Sequence, residues 1–164
     1  MCPALRSWGR MRLEEAAAVL SQAEFFDICD EEQKRLLAFA SERRRFAPDE
    51  VVCAGDVVPE GAHVLISGTL KAKPEGEIAG KPYTITQPGS VVSAMALILA
   101  KPRLITVTSV VESDMLFVPR AAFRKLMQHS PELAERAAAH IQNDLGRYLG
   151  ALQPVGRKMR GSNS

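Results

Sequence analysis

Apolar residues recur at helical spacing near the start of the chain. Leu13, Ala17 and Leu20 lie three or four positions apart within Met11–Phe26, which predicts an amphipathic helix. Further on, Asp30 and Gln33 have the spacing of a capping box, in which each side chain bonds the other residue's backbone amide. We therefore predict a second helix that begins after Asp30.

This second helix is expected to span Glu31–Ala40. The basic run Arg43–Arg45 follows it. We interpret this run as the solvated end of the helix, where positive charge complements the helix dipole, and assign it no function.

From Phe46 onward the pattern changes to short apolar runs separated by glycine and proline, which is typical of antiparallel strands. Ser67-Gly68 lies between two such runs, and glycine adopts the positive φ that a tight hairpin requires. We predict a hairpin there. The predicted strands are Val64–Ile66, Thr69–Ala72, Tyr83–Thr86 and Leu104–Val111.

The pattern returns to helix after Val118, with one short element at Ala121–Gln128 and a longer one from Pro131 to about Leu152. Apolar residues of the longer helix form one stripe that must pack against the sheet, a ligand or another chain. The predicted organisation is an N-terminal extension at 1–10, one domain at 11–153 and a flexible basic tail at 154–164. The predicted fold class is mainly β with flanking α-helices.

The composition of the chain argues against a nucleic-acid-binding, membrane or secreted protein. The chain has 164 residues, and its 21 basic and 19 acidic residues leave a net charge of +2, too little for a dedicated nucleic-acid binder. The longest apolar run, Met95–Ala100, is far shorter than the roughly 18 residues of a membrane span, and no secretion signal is visible. We therefore expect a cytoplasmic protein with no membrane contact.

Reactive chemistry is not indicated. Cys29 and Cys53 are expected to be small apolar fillers, and three cysteines without paired spacing do not predict disulfides or a thiolate cluster. The histidines lie on different elements without acidic companions, so no metal site is predicted. No catalytic constellation is present, and we do not predict an enzyme.

The segment from Gly89 to Arg103 contains the strongest candidate site. A helix that begins near Ser93 presents unpaired backbone N–H groups, and Pro102 should end it at Lys101. Arg103 then supplies a cation at the corner between this helix and the next strand. The combination predicts a pocket for a phosphate or another small anion.

The order of elements and several motifs together resemble the cyclic nucleotide-binding domain of the catabolite-activator superfamily, over Leu20–Leu152. The motifs are Phe25-Phe26, Gly55-Asp56, Ile66-Ser67-Gly68, Pro88-Gly89, Met95-Ala96-Leu97 and Pro102-Arg103.

This resemblance implies a double-stranded β-helix (jelly-roll) barrel with a long C-terminal helix. It also implies a regulatory domain without catalytic activity, with cAMP or cGMP as ligand and a homodimer formed through residues 131–152. No cofactor is implied.

The same resemblance assigns roles in the phosphate-binding cassette. Arg103 is implied to bind the cyclic phosphate, Ala96 and Leu97 to donate backbone amides, and Thr106 to be the small polar residue beyond. Ala94 stands where the family has a ribose-binding glutamate, a loss of about 1.5–3 kcal/mol for a charged hydrogen bond. The candidate ligand-binding residues are therefore Ser93, Ala94, Met95, Ala96, Leu97, Arg103, Leu104 and Thr106.

Two other interpretations stay open at this point. Ala94 favours a structural or protein-interaction domain whose pocket holds no ligand, while Arg103 opposes it. Because no helix-turn-helix pattern follows Leu152, the chain also fits a truncated transcription regulator, and DNA binding in cis is not expected.

Overall fold

The computed structural model describes residues 12–74, 81–100 and 105–140. The helices before the sheets are α1 (Leu13–Gln22), a 3₁₀ helix (Glu24–Ile28) and α2 (Glu31–Ala40). The strands are β1 (Glu42–Phe46), β2 (Val51–Cys53), β3 (Gly61–Ser67), β4 (Leu70–Pro74), β5 (Tyr83–Ile85), β6 (Val91–Val92), β7 (Ile105–Ser109) and β8 (Ser113–Pro119). A 3₁₀ helix (Ala94–Leu97) follows β6, and α3 (Arg120–His129) follows β8. Residues 131–140 are helical and form the described part of α4.

The strands form two antiparallel four-stranded sheets. Strand order is β1-β8-β3-β6 in the first sheet and β2-β7-β4-β5 in the second. Successive strands thus alternate between the two sheets, except for β4 and β5, which are neighbours in the second sheet. This is the arrangement of a jelly roll. The predicted fold class, mainly β with flanking helices, is confirmed.

Two apolar clusters lie on opposite faces of the first sheet. The helix-side core joins that sheet to the helices and includes Phe26, Val64, Leu97, Leu116 and Phe123. The roll-interior core lies between the sheets and comprises the buried residues Phe46, Leu65, Leu70, Ala72, Val92, Val107 and Met115. Because side chains alternate along a strand, consecutive residues of β3 and of β8 point to opposite faces and belong to different cores.

The capping box is confirmed. The Gln33 amide donates to the Asp30 carboxylate at 2.7 Å, and the Asp30 amide donates to Gln33 Oε1 at 2.9 Å. The helix that follows ends at Ala40, as predicted. The expected helix over 11–26 is wrong in its last four residues, because Ala23 is extended (φ −88°, ψ 121°) and separates α1 from the 3₁₀ helix.

The hairpin predicted at Ser67-Gly68 is also wrong. Gly68 does have a positive φ of 117°, but β3 and β4 belong to different sheets and do not pair. A Cβ atom on Gly68 would lie 2.3 Å from Ser113 Oγ, so the chain passes against β8 while crossing between sheets. The turn therefore connects the two layers of the roll.

Arg43–Arg45 do not end a helix. They lie within β1, which pairs with β8, and Arg45 stands opposite Asp114. Both Arg43 and Arg45 form ion pairs with Asp114, which explains why this charged run is extended. The basic run is part of the first sheet.

Other predicted elements agree with the structure. The strand at Tyr83 and the helix after Val118 are present as β5 and α3. The strand predicted at 104–111 is present as β7 and ends at Ser109. The extension 1–10, the residues 141–152 of the last helix and the tail 154–164 lie outside the described residues.

Candidate ligand-binding site

The first part of the predicted site forms one tight turn between the two cores. Ser93 follows β6 and has left-handed backbone angles (φ 64°, ψ 43°), and the 3₁₀ helix Ala94–Leu97 comes next. We call Ser93–Leu97 the cassette turn. It replaces the longer helix that the sequence predicted from Ser93 to Lys101, and Lys101 itself lies outside the described residues.

Ser93 adopts a conformation that glycine accepts with much less strain. Left-handed angles cost an L-residue roughly 1–2 kcal/mol, and Asp49 is the only other non-glycine described with a positive φ. The Ser93 hydroxyl lies 3.5 Å from Cys53 Sγ at the end of β2. The turn thus has, at a serine, backbone angles that are typical of glycine.

Both cores fix the cassette turn. Val92, directly before it, is buried in the roll-interior core, while Leu97 at its end is fully buried in the helix-side core. The Ala96 amide donates to the Ser93 carbonyl at 2.9 Å, closing the turn. The position of the turn is therefore set by packing on two sides.

The predicted site residues differ in what the structure shows of them. Ala94 and Met95 are half-buried, whereas Ala96 and Leu97 are buried, and the Ala96 amide is already bonded within the turn. The amide-donor roles of Ala96 and Leu97 stay predictions. Arg103 and Leu104 lie outside the described residues.

Thr106 lies on β7 and contacts the loop that follows β2. Its hydroxyl oxygen accepts a hydrogen bond from the Gly55 amide at 3.0 Å. Because Gly55 comes two residues after Cys53, Thr106 and Ser93 contact neighbouring parts of one segment. Ser93 and Thr106, the two polar candidate residues that the structure describes, thus both contact the segment 53–55.

A cavity of about 280 Å³ lies beside this segment. Its lining includes Cys53 but none of the predicted site residues that the structure describes. The walls come from β1, β2, β3, β8 and the loop 54–60. The lining residues are Arg44, Val52, Cys53, Ala54, Val57, Val58, Pro59, Glu60, Gly61, His63 and Phe117.

Arg44 and His63 give this cavity its polar character. The Arg44 guanidinium lies 3.7 Å above the Phe117 ring, pairs with Glu42 at 2.7 Å and has Nη1 3.5 Å from His63 Nε2. Burial, and then the charge of Arg44, lower the pKa of His63 to about 3. His63 is therefore a neutral imidazole at physiological pH.

Cys29 has no sign of activation. It is buried in the helix-side core, and burial raises the pKa of its thiol to about 11. The prediction that Cys29 is an apolar filler is confirmed. Cys53 is partly buried and contacts the cassette turn instead.

Sequence reasoning missed Arg44, His63 and Arg120 as residues around the site. The alternation Glu42, Arg44, Phe46 is a signal for one face of a strand, and it places Arg44 on the same face as the buried Phe46. Arg120 has no comparable signal, because both acceptors of its side chain are backbone carbonyls.

Every helix in the part of the chain that the structure describes is too short or too polar to span a lipid bilayer.

Comparison with known proteins agrees with this geometry. The sequence profile described as "Cyclic nucleotide-binding domain" matches residues 43–130, more than half of the chain. The chain therefore belongs to the cyclic nucleotide-binding domain family. Domains of this type are regulatory rather than catalytic. No curated protein matches the sequence.

Solved structures share the fold. A cyclic nucleotide-binding-like protein from Brucella abortus is 27% identical, with a TM-score of 0.58, and the match covers 70% of this chain and 98% of that one. The sensor domain of the transcriptional regulator DNR from Pseudomonas aeruginosa is 17% identical, with a TM-score of 0.68, covering 84% and 93%. The catabolite activator protein of Thermus thermophilus is 18% identical, with a TM-score of 0.64, covering 80% of this chain and 62% of that one.

Proposed function

We propose that this domain is a sensor that binds a small phosphate-bearing ligand, cAMP or cGMP in the first instance, at the cassette turn. The observation that supports this most is the left-handed conformation of Ser93. Strained backbone persists where the surrounding structure demands it, and such positions concentrate at ligand sites. Ser93 therefore holds a left-handed geometry that glycine would adopt with less strain.

Charge and backbone groups at this site suit an anion. Arg103 follows the cassette turn in sequence and is proposed to pair with the cyclic phosphate, together with amides of the turn. Ala94 provides no carboxylate for the ribose hydroxyl, so affinity should be about ten to a hundred times weaker than with a glutamate. We therefore propose a site that binds a cyclic nucleotide more weakly than the same site with a glutamate at position 94 would.

The second candidate function is a protein-interaction domain that binds no nucleotide. Ala94 supports it, because a desolvated ribose hydroxyl without a partner opposes binding. In this alternative the last helix, through residues 131–152, contacts a second copy of the chain or another protein. The two functions differ in the role of Arg103: the sensor needs it to bind the phosphate of a ligand, and the interaction domain does not.

Thermal unfolding with millimolar cAMP, cGMP, cyclic dinucleotides or inorganic phosphate separates these functions. A ligand present at ten times its dissociation constant stabilises the native state by about 1.4 kcal/mol, or roughly 3 °C. Arg103→Ala should abolish this shift, while Arg35→Ala, at an exposed position of α2, should leave it unchanged. If no compound raises the midpoint of the wild-type protein, the interaction function is supported instead.

A further inference from the structure

Arg120, the first residue of α3, bridges two separate backbone segments. Its Nη1 donates to the Pro59 carbonyl at 2.6 Å and to the Ala96 carbonyl at 3.1 Å. The Arg120 backbone amide donates to the Glu60 carbonyl at 2.8 Å. One residue thus joins α3, the loop before β3 and the cassette turn.

The hydrogen bond from Arg120 supplies a donor to the buried Ala96 carbonyl of the cassette turn. Ala96 is 1% exposed, and the described amides of Ile98 and Leu99 both donate to the Met95 carbonyl, not to that of Ala96. A buried carbonyl without a donor is unfavourable, and a guanidinium gives a stronger, charge-assisted bond than a neutral group. Arg120 therefore satisfies a carbonyl that the turn leaves open.

The other end of this bridge is closely packed. Gly61 begins β3 opposite Pro119, and a Cβ atom on Gly61 would lie only 2.1 Å from the Val118 carbonyl oxygen. Backbone packing this close leaves Pro59 and Glu60 little freedom relative to the end of β8. Movement between the cassette turn and α3 must therefore change the geometry at Arg120.

We infer that Arg120 is a positioning residue that couples the cassette turn to α3, so that a ligand bound at the turn is sensed by the helices. This inference rests on the proposed function. Leu97 and Phe123 share the helix-side core and give the same elements an apolar contact. That contact has no fixed direction, whereas the hydrogen bond from Arg120 to Ala96 fixes the turn relative to the start of α3.

Amide hydrogen exchange on the ligand-free protein tests whether the hydrogen bond from Arg120 stabilises the cassette turn. Arg120→Met keeps the length of the side chain and removes its donors, and Arg124→Met is the matched control at an exposed position of α3. Arg120→Met should accelerate exchange at Ala96, Ile98 and Leu99 at least tenfold, with little change in β3 and β8. Arg120→Lys, which keeps one cationic donor, should recover part of this protection. Equal effects of the Met variants at 120 and 124 would overturn the inference.

A titration with cAMP, followed by backbone amide NMR shifts, tests the coupling itself. In the wild-type protein, shifts at the cassette turn should be accompanied by shifts in α3. In Arg120→Met the affinity should stay within tenfold while the α3 response falls by more than half. An undiminished α3 response would overturn the coupling.

Failure of the proposed function has a different signature. If the wild-type protein shows no shifts with cAMP, cGMP or inorganic phosphate, the proposed function fails, and the sensing role of Arg120 fails with it. The exchange measurement still decides whether Arg120 holds the turn, because it needs no ligand.

Discussion

The two faces of the first sheet are built differently. The helix-side core is apolar around Val64, Leu116 and Val118, where helices cover the sheet. The roll interior is apolar around Leu65 and Met115, but beyond them it contains the buried His63 next to Arg44. The core on the helix side of the sheet is thus apolar, while the roll interior also includes polar side chains whose charge state affects stability.

The cassette turn is where these two regions meet. Val92 belongs to the roll interior and Leu97 to the helix-side core, with only the turn between them. A shift of this turn must therefore disturb packing on both faces. In the proposed function, a ligand bound at this turn acts directly on the packing of the helix-side core.

Truncation of Leu97 should give the largest effect and tests the helix-side core. Leu97→Ala leaves a cavity at a fully buried position and should lower the free energy of unfolding by about 3 kcal/mol, measured by urea denaturation. The control Leu36→Ala removes the same atoms from a residue 52% exposed and should cost much less. Similar losses in both variants would show that the cassette turn is not anchored in this core.

Titration of His63 tests the polar part of the roll interior. The unfolded imidazole gains its proton near pH 6.5, whereas the folded one has a pKa of about 3. The unfolded state therefore binds more protons between these values, and stability falls as pH decreases below 6.5. The loss should reach about 2 kcal/mol by pH 5.

Replacement of His63 provides the control for that pH effect. His63→Gln should remove most of the acid destabilisation in denaturant melts at pH 7 and pH 5, while His129→Gln, at an exposed site, should retain it. The same pH slope in all three proteins would contradict a buried neutral His63.

Loss of Asp114 should have a smaller effect, on the charged end of the first sheet. Asp114 accepts from Arg43 Nε at 3.0 Å and pairs with Arg45 at 3.6 Å, although both arginines are partly exposed. Asp114→Asn should cost about 1–2 kcal/mol in urea denaturation. Glu112→Gln breaks an exposed 3.9 Å contact with Arg45 and should change stability by less than about 0.5 kcal/mol. Equal costs would show that burial does not strengthen the Asp114 pairs.

Relief of strain at the turn should give the smallest change, and in the opposite direction. Ser93→Gly should stabilise the protein by about 0.5 kcal/mol, because the easier left-handed geometry outweighs the lost contact with Cys53 and the greater freedom of the unfolded chain. Ser93→Ala loses the hydroxyl without this relief and should not stabilise. A destabilising Ser93→Gly, measured by thermal unfolding, would indicate that the hydroxyl contact dominates.

Local signals in the sequence predicted a large part of the fold. The capping box at Asp30 and the helix after Val118 depend on neighbouring residues, and both are present. The pairing of strands depends on distant contacts instead. Gly68 connects two sheets, not a hairpin, because it packs against Ser113, and Arg43–Arg45 are extended because β8 pairs with them.

The candidate site was predictable only in part. Motif spacing predicted Ser93–Leu97 as ligand-binding residues; the structure forms them into one turn, while their binding role stays a prediction. The shortness of that turn was not predictable, because packing of Val92 and Leu97 in separate cores limits its length. Arg120 could not be found from sequence, since backbone carbonyls as acceptors leave no residue pattern.

The most direct test of nucleotide binding is the dissociation constant for cAMP, measured by isothermal titration calorimetry on the wild-type protein and Ala94→Glu. The glutamate restores a charged acceptor for the ribose hydroxyl, so affinity should increase about ten to a hundredfold. Ala100→Glu, an added carboxylate at an exposed position after the turn, should not increase it. Absence of binding in both the wild-type protein and Ala94→Glu, or an equal effect of both glutamates, would contradict a cyclic nucleotide site at the cassette turn.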